Sequence, residues 1–380
     1  MLDEKDKKTY SNFEYESALN VQEGVQQPEQ ISNFYLEKMR QRRQQEPSVE
    51  EMVDGIVHGD RVMLSRAITL VESFRYDHRT KAQQVVEQCL PYSGKSVRLG
   101  ITGVPGAGKS TVIEALGKML TGLNHKVAVL AIDPSSERTK GSILGDKTRM
   151  EELSTDPNAF IRPSPSAGSL GGVARKTREI ILLCEAAGFD AVIVETVGVG
   201  QSEVAAHSMV DFFLLLQLAN TGDELQGIKR GIMEMADMIA INKCELDMTR
   251  SLLAAQQFRN ALHLFPMPES DWTVPVICCS AYTKEGIHEI WNKVLEYVAH
   301  TKQNGYFYHK RQQQNLRILE ETIESTLKER FYHAPGMEQA LEEARQAILD
   351  NRTSAYAAAD RLLNINFQTT THDEKKTSDE

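Results

Sequence analysis

Gly103-Val104-Pro105-Gly106-Ala107-Gly108-Lys109-Ser110-Thr111 lies between an apolar run, Val97–Thr102, and an amphipathic segment, residues 109–122. The string is G-x4-G-K-[ST], placed after a predicted strand and before a predicted helix, the context in which it carries a mechanism. The glycines let successive backbone N–H groups curl around phosphate oxygens. Lys109 sets a point charge between the β- and γ-phosphates, Ser110 offers a hydroxyl to Mg²⁺, and the helix adds its positive N-terminal end. The plain alternative is a glycine turn between strand and helix. The match is complete and correctly placed, so the stretch reads as a nucleoside-phosphate site. Its binding residues are Gly103, Gly106, Ala107, Gly108, Lys109, Ser110 and Thr111.

Outward from this loop the rhythm is strand and helix in alternation. The runs Val97–Thr102, Val127–Ile132, Ala191–Thr196, Phe212–Leu218, Met238–Asn242 and Val274–Cys279 read as buried strands. Segments 109–122, 172–187, 246–263 and 284–300 read as amphipathic helices between or after them. This predicts an α/β fold, a P-loop NTPase with a mostly parallel central sheet covered on both faces. Ligands of such sheets bind beyond the carboxyl ends of the strands. Nineteen of the 24 glycines fall between residues 91 and 300, where the chemistry is expected, and the flanks read as helix.

On the N-terminal side, Ser48 and Glu51 have capping-box spacing ahead of a short helix that stops near Gly59, and Asp60 caps the next. A third helix covers about 77–90. On the C-terminal side Leu316, Leu319, Ile323 and Leu327 form one stripe, broken by Pro335-Gly336. Met337, Leu341, Ala344 and Ile348 form a second, and Tyr356, Ala359 and Leu363 a third. The expected organisation is a polar segment 1–47, a helical extension 48–90, the nucleotide domain 91–300, a helical arm 301–367 and a disordered tail 368–380.

Two later strand ends bear on the base. Asn242-Lys243-Cys244-Glu245 follows Met238–Ile241, and Ser280-Ala281 follows Val274–Cys279. P-loop GTPases carry N-K-x-D and S-A at these places. There the carboxylate accepts from guanine N1 and N2 and the Ser-Ala backbone faces O6, whereas adenine would leave the carboxylate unpaired. Here the acid is Glu245, one methylene longer than the usual Asp, with Asp247 as a substitute two residues on. Three acids are candidates for ordering metal and water. Asp133 ends the second strand, Asp146 lies in Gly145-Asp146-Lys147, and Glu195 leads into Thr196-Val197-Gly198-Val199-Gly200-Gln201. Gly198 is then the γ-phosphate sensor, and Gln201 either orients water or sits idle on the surface.

Composition excludes several classes. Lys+Arg 43 against Asp+Glu 53 gives a net charge of −10, which argues against nucleic acid or an anionic membrane as partner. No apolar run is long enough to span a bilayer, and the acidic N-terminus resembles neither a signal peptide nor a mitochondrial presequence. Five cysteines without a framework read as reduced thiols, giving a cytoplasmic expectation.

Longer strings carry a resemblance. Ile132-Asp133-Pro134-Ser135-Ser136, Gly141–Met150, Phe160–Pro165, Glu195–Glu203 and Gly222–Lys229 are similar to the MeaB/ArgK family, the GTPases associated with methylmalonyl-CoA mutase. So is Gly59-Asp60-Arg61 through Ser73. The resemblance runs from about residue 55 to about 365, and Glu245 is its one clear departure in a functional motif. It implies a GTP-hydrolysing chaperone that gates adenosylcobalamin loading and protects or reactivates a cobalamin-dependent acyl-CoA mutase. Lys109 and Ser110 would serve phosphate and Mg²⁺, and Asp133, Asp146 and Glu195 would order metal and water. The segment Gln217–Gly231, with Asp223, Glu224 and Lys229, would be a further switch that senses the mutase, and the C-terminal helices would make a homodimer.

Two rivals remain at this level. A nickel-delivery GTPase needs a soft-ligand cluster, and the only close pair, Cys278-Cys279, lies in an apolar strand. His125, His207 and His288 lack partners at metal spacing. A small-molecule kinase needs an acceptor pocket and a base, and the pairing of Asn242 with Ser280 points to switching rather than phosphate donation.

Overall fold

The computed structural model describes residues 47–73, 75–133, 150–165, 170–196, 201–219 and 230–373. The chain divides into Met1–Ser48 and Val49–Glu380, and every element below belongs to the second unit. Among the described residues seven strands form one sheet: β1 (Val97–Gly103), β2 (Val127–Asp133), β3 (Ala159–Pro165), β4 (Ala191–Thr196), β5 (Phe212–Leu218), β6 (Met238–Asn242) and β7 (Val276–Cys278). Their order is β3-β2-β4-β1-β5-β6-β7, and every pairing is parallel.

The sequence reading predicts six strands; the sheet has a seventh, β3. Ala159–Pro165 contains Pro163 and Pro165, which cannot donate to a ladder and so argue against a central strand. β3 sits at the edge, paired with β2 alone, where such residues are tolerated. The opposite edge also differs, because only Val276–Cys278 of the apolar run Val274–Cys279 pairs.

Alternation within the strands builds both faces. Leu99, Ile101, Phe212, Leu214 and Leu216 pack with α4 (Lys109–Gly122) and α10 (Ile287–Gln303). Ala128, Leu130, Val192, Val194 and Phe213 face the other way. They meet α6 (Leu170–Ala186) and the N-terminal helices α1 (Val49–Val57), α2 (Arg61–Glu72) and α3 (Tyr76–Cys89). Asp60 caps α2 as expected, its Oδ1 accepting from Val62 N at 2.7 Å.

Two short helices, α5 (Glu151–Ser154) and α8 (Arg230–Met235), lie between these, and among the described residues three more follow α10: α11 (Tyr306–Tyr332), α12 (Met337–Leu349) and α13 (Ala355–Asp373). The last continues past the point where the sequence reading begins the tail. The N-terminal half of α11 is tied to the sheet and the C-terminal half is braced on other helices. Arg178 of α6 donates to Glu321 at 2.6 Å and to Ser208 at 2.7 Å, and Arg79 of α3 donates to Glu329 at 2.7 Å. Among the described residues no helix is long and apolar enough to cross a membrane.

α7 (Gln201–His207) ends against this arm. The His207 ring stands edge-on to Phe213, with centroids 5.5 Å apart. Removal from water, then the cations of Lys310 and Arg317, holds its pKa down at about 3. The unfolded chain takes up that proton near pH 6.5, the folded protein only near 3. His207 therefore costs nothing above pH 6.5 and costs progressively more stability as pH falls from 6.5 towards 3. The melting midpoint should drop between pH 7.5 and 5, and His207→Phe should shrink that drop. An identical drop in the variant would remove His207 as the cause.

Candidate functional site

β1 lies between β4 and β5, so its carboxyl end opens at the middle of the sheet. Gly103 closes the strand at φ +153°, and a methyl there would lie 2.3 Å from the Leu216 carbonyl oxygen. Only glycine lets the chain turn out of the sheet this close to β5. The loop then folds back, with Ala107 N–H donating to Val104 O at 3.1 Å. Gly106 and Gly108 are left-handed, at φ +80° and +86°. A methyl on Gly108 would meet Asn242 Nδ2 at 2.7 Å and Lys243 Cε at 3.8 Å, so the N-K motif lies directly against the phosphate loop.

Lys109 opens α4 and folds its ammonium back over the loop, donating to Gly103 O at 2.9 Å and Val104 O at 3.4 Å. Ser110 Oγ donates to Glu195 Oε1 at 3.0 Å. Glu195 is 9% exposed and pairs in register with Ile101. One residue on, the buried Thr196 donates its hydroxyl to Thr102 at 2.9 Å. Thr111 is exposed on the first turn of α4. Asp133 is the last residue of β2, adjacent to β4, so Gly103, Glu195 and Asp133 stand at the carboxyl ends of three neighbouring strands. Asp146, Gly198, Asp223, Glu224 and Lys229 lie outside the described residues.

The base-side motif is braced to the phosphate loop. Asn242, buried, donates from Nδ2 to Ala107 O at 2.8 Å. Its Oδ1 accepts from Ala281 N at 3.1 Å and from the Cys279 thiol at 3.7 Å. The amide thus ties phosphate loop to base loop across 135 residues of chain. Asn242 thereby also holds the Ser280-Ala281 backbone, the pair expected to face guanine O6. Lys243 adopts φ +62°, and Cys244 N–H donates to Cys279 O at 3.1 Å. Glu245 is exposed. Asp247 is committed elsewhere, its Oδ1 accepting from Arg250 N at 3.0 Å as the cap of α9 (Met248–Leu262). Of the two acids, Asp247 is thus spent on a helix cap, while Glu245 lies on the exposed turn before it.

Three thiols, Cys244, Cys278 and Cys279, lie beside this brace, and burial pushes all three upward, Cys279 to about 12. The Thr102–Thr196 pair and the double use of Asn242 escape sequence reading. For the first a signal exists, since a threonine closes or nearly closes two strands that turn out to be neighbours.

Known proteins extend the picture. The sequence model described as methylmalonyl Co-A mutase-associated GTPase MeaB matches residues 64–336. The GTPase ArgK of Escherichia coli is 44% identical over 310 residues, covering 81% of this chain and 94% of its own. The methylmalonic aciduria type A homolog, mitochondrial, of Mus musculus is 44% identical over 326 residues, 83% of this chain and 79% of its own. Among solved structures, the crystal structure of LAO/AO transport system kinase superposes with a TM-score of 0.66 at 37% identity. It covers 83% of this chain and 97% of that one.

Proposed function

Because the chain belongs to the family of methylmalonyl-CoA mutase-associated GTPases, we propose that it binds GTP and hydrolyses it to gate cofactor loading of a cobalamin-dependent acyl-CoA mutase. The observation that carries the hydrolytic reading is the bond between Ser110 and the buried Glu195 beneath the phosphate loop. A hydroxyl and a carboxylate oxygen form the hard donor pair that suits Mg²⁺. Ser110 and Glu195, with Asp133 and Asp146, would hold that ion, which would neutralise charge on the β- and γ-phosphates. Lys109 binds the same phosphates, Gly198 senses the γ-phosphate, and Lys229 acts from the mutase-sensing segment.

Glu245 supplies the guanine preference. Glu245→Ala should weaken GDP binding by roughly 10- to 100-fold, the worth of hydrogen bonds to a charged acceptor. Inosine diphosphate, which lacks the 2-amino donor, should lose less. Equal loss for both would remove Glu245 from base reading. Glu195→Gln should cut turnover of GTP far more than its binding, read by single-turnover kinetics beside equilibrium titration.

A second copy of the chain is the proposed partner of the C-terminal arm. Leu316, Leu319, Ile323 and Leu327 are each 50–60% exposed along α11, a continuous apolar stripe larger than a soluble helix ordinarily shows to water. Five unpaired cysteines fit a cytoplasmic setting. The deciding experiment compares GTP and ATP hydrolysis with and without an adenosylcobalamin-dependent methylmalonyl-CoA mutase. GTP should be preferred and its turnover raised by the mutase. Equal use of ATP, or indifference to the mutase, would overturn the assignment.

A further inference from the structure

Tyr282 follows the Ser280-Ala281 pair and is 83% exposed. Exposed rings are common on protein surfaces and by themselves mean little. This one differs in how firmly its backbone is held. Ser280, fully buried, donates its N–H to Glu285 O at 2.9 Å, and its hydroxyl accepts from Thr283 N at 3.0 Å. Ala281 N–H is held by Asn242 Oδ1. At the far end Gly286, at φ +75°, passes so close to β7 that a methyl would meet Cys278 O at 2.8 Å and Cys279 Cβ at 2.9 Å. The loop is therefore clamped on both sides of Tyr282, while the ring itself remains in water.

Asn242 joins that clamp to the phosphate loop, which fixes where a nucleotide's far end would lie: between Lys243, whose stem runs against Gly108, and the Ser280–Glu285 loop. A flat heteroaromatic base reaching that slot has an edge and two faces. Its edge is read by Glu245. We propose that Tyr282 is a base-stacking residue that covers one face of the nucleobase, adding affinity that does not depend on which base is bound. The proposal rests on the nucleotide reading of the site and deepens it. Stacking of a base on an aromatic side chain is edge-tolerant, because every base has a π-face. Specificity and affinity are thereby divided between Glu245 and Tyr282.

GDP titrated into the full-length protein tests this. Tyr282→Ala should weaken GDP and inosine diphosphate by the same factor, on the order of tenfold, while Tyr282→Phe should bind like the wild type. An independent readout is Tyr282→Trp, which adds an exposed indole to a chain with two tryptophans. Saturating GDP should quench or shift its emission. GDP affinity within twofold of wild type in Tyr282→Ala, or an emission that GDP leaves unmoved, would overturn the proposal. So would a Tyr282→Ala protein that loses response to the mutase but keeps GDP, which would make the ring a docking residue. Wild-type protein that binds ADP as tightly as GDP would sink the guanine reading alone. The alanine and phenylalanine contrast would then be read with ADP.

Discussion

Lys109→Ala should abolish measurable binding of GDP and GTP in a protein that still melts cooperatively. The ammonium is held over the loop by the carbonyls of Gly103 and Val104 at 2.9 and 3.4 Å, beside the backbone that would cradle phosphate. Contacts from an ammonium to phosphate oxygens are charge-assisted, each worth about 1.5–3 kcal/mol. Losing two of them is roughly a 100-fold to 10,000-fold loss of affinity. Backbone N–H groups of the loop and the positive end of α4 remain, so the remnant is weak anion binding rather than none. Isothermal titration measures the loss, and a thermal melt excludes unfolding as its cause. Affinity within a few-fold of wild type would mean that the phosphates do not lie where the loop implies.

That the loop could be recognised from nine residues, while β3 could not, follows from where each constraint lives. Gly103, Gly106, Gly108 and Lys109 answer to local demands: left-handed or tightly approached backbone, and a cation at the first turn of a helix. The central strands β1, β2, β4, β5 and β6 are covered on both faces, so they read as unbroken apolar runs. β3 is an edge strand with two prolines and an arginine, and nothing within Ala159–Pro165 announces that β2 will accept it. The site divides the same way. Ser110 is legible as part of the glycine-rich string, and Glu195 because it nearly closes a recognisable strand. Asn242 is legible as a base-side residue, but its service as a cross-brace is a property of two loops 135 residues apart. Asp247 shows the converse error. Its carboxylate looks available in the sequence, and one helix start consumes it.

The same distance in sequence hides the polar knot that carries the C-terminal arm, and there the largest effect on stability is expected. Asp211, with its side chain 1% exposed, precedes β5 and receives Arg311 in a two-pronged pair, Nε and Nη2 each at 2.7 Å. Its Oδ2 also accepts the Arg98 N–H of β1 at 2.8 Å. Arg311 spends its other donors on Gly94 O at 2.6 Å and Ser96 O at 2.8 Å, and Lys310 reaches Asp211 O at 2.7 Å. One carboxylate thus joins the root of α11 to the amino ends of β1 and β5. Asp211→Ala leaves a guanidinium largely buried without its counter-charge and a strand N–H without its acceptor. Breaking a buried pair from one side costs about 3–5 kcal/mol. That is a large fraction of the roughly 5–15 kcal/mol that holds a folded protein together. Asp211→Asn keeps the shape but turns one acceptor into a donor facing donors, so it should fall only slightly short of alanine. Guanidinium denaturation gives the numbers, and a cycle with Arg311→Met separates the pair from the lost strand contact. Because the knot anchors the arm that bears the exposed leucine stripe, the self-association proposed for that stripe should weaken together with stability. A cost under about 1 kcal/mol would mean that water reaches the knot and that the arm is held by its helical braces, Arg178–Glu321 and Arg79–Glu329, instead.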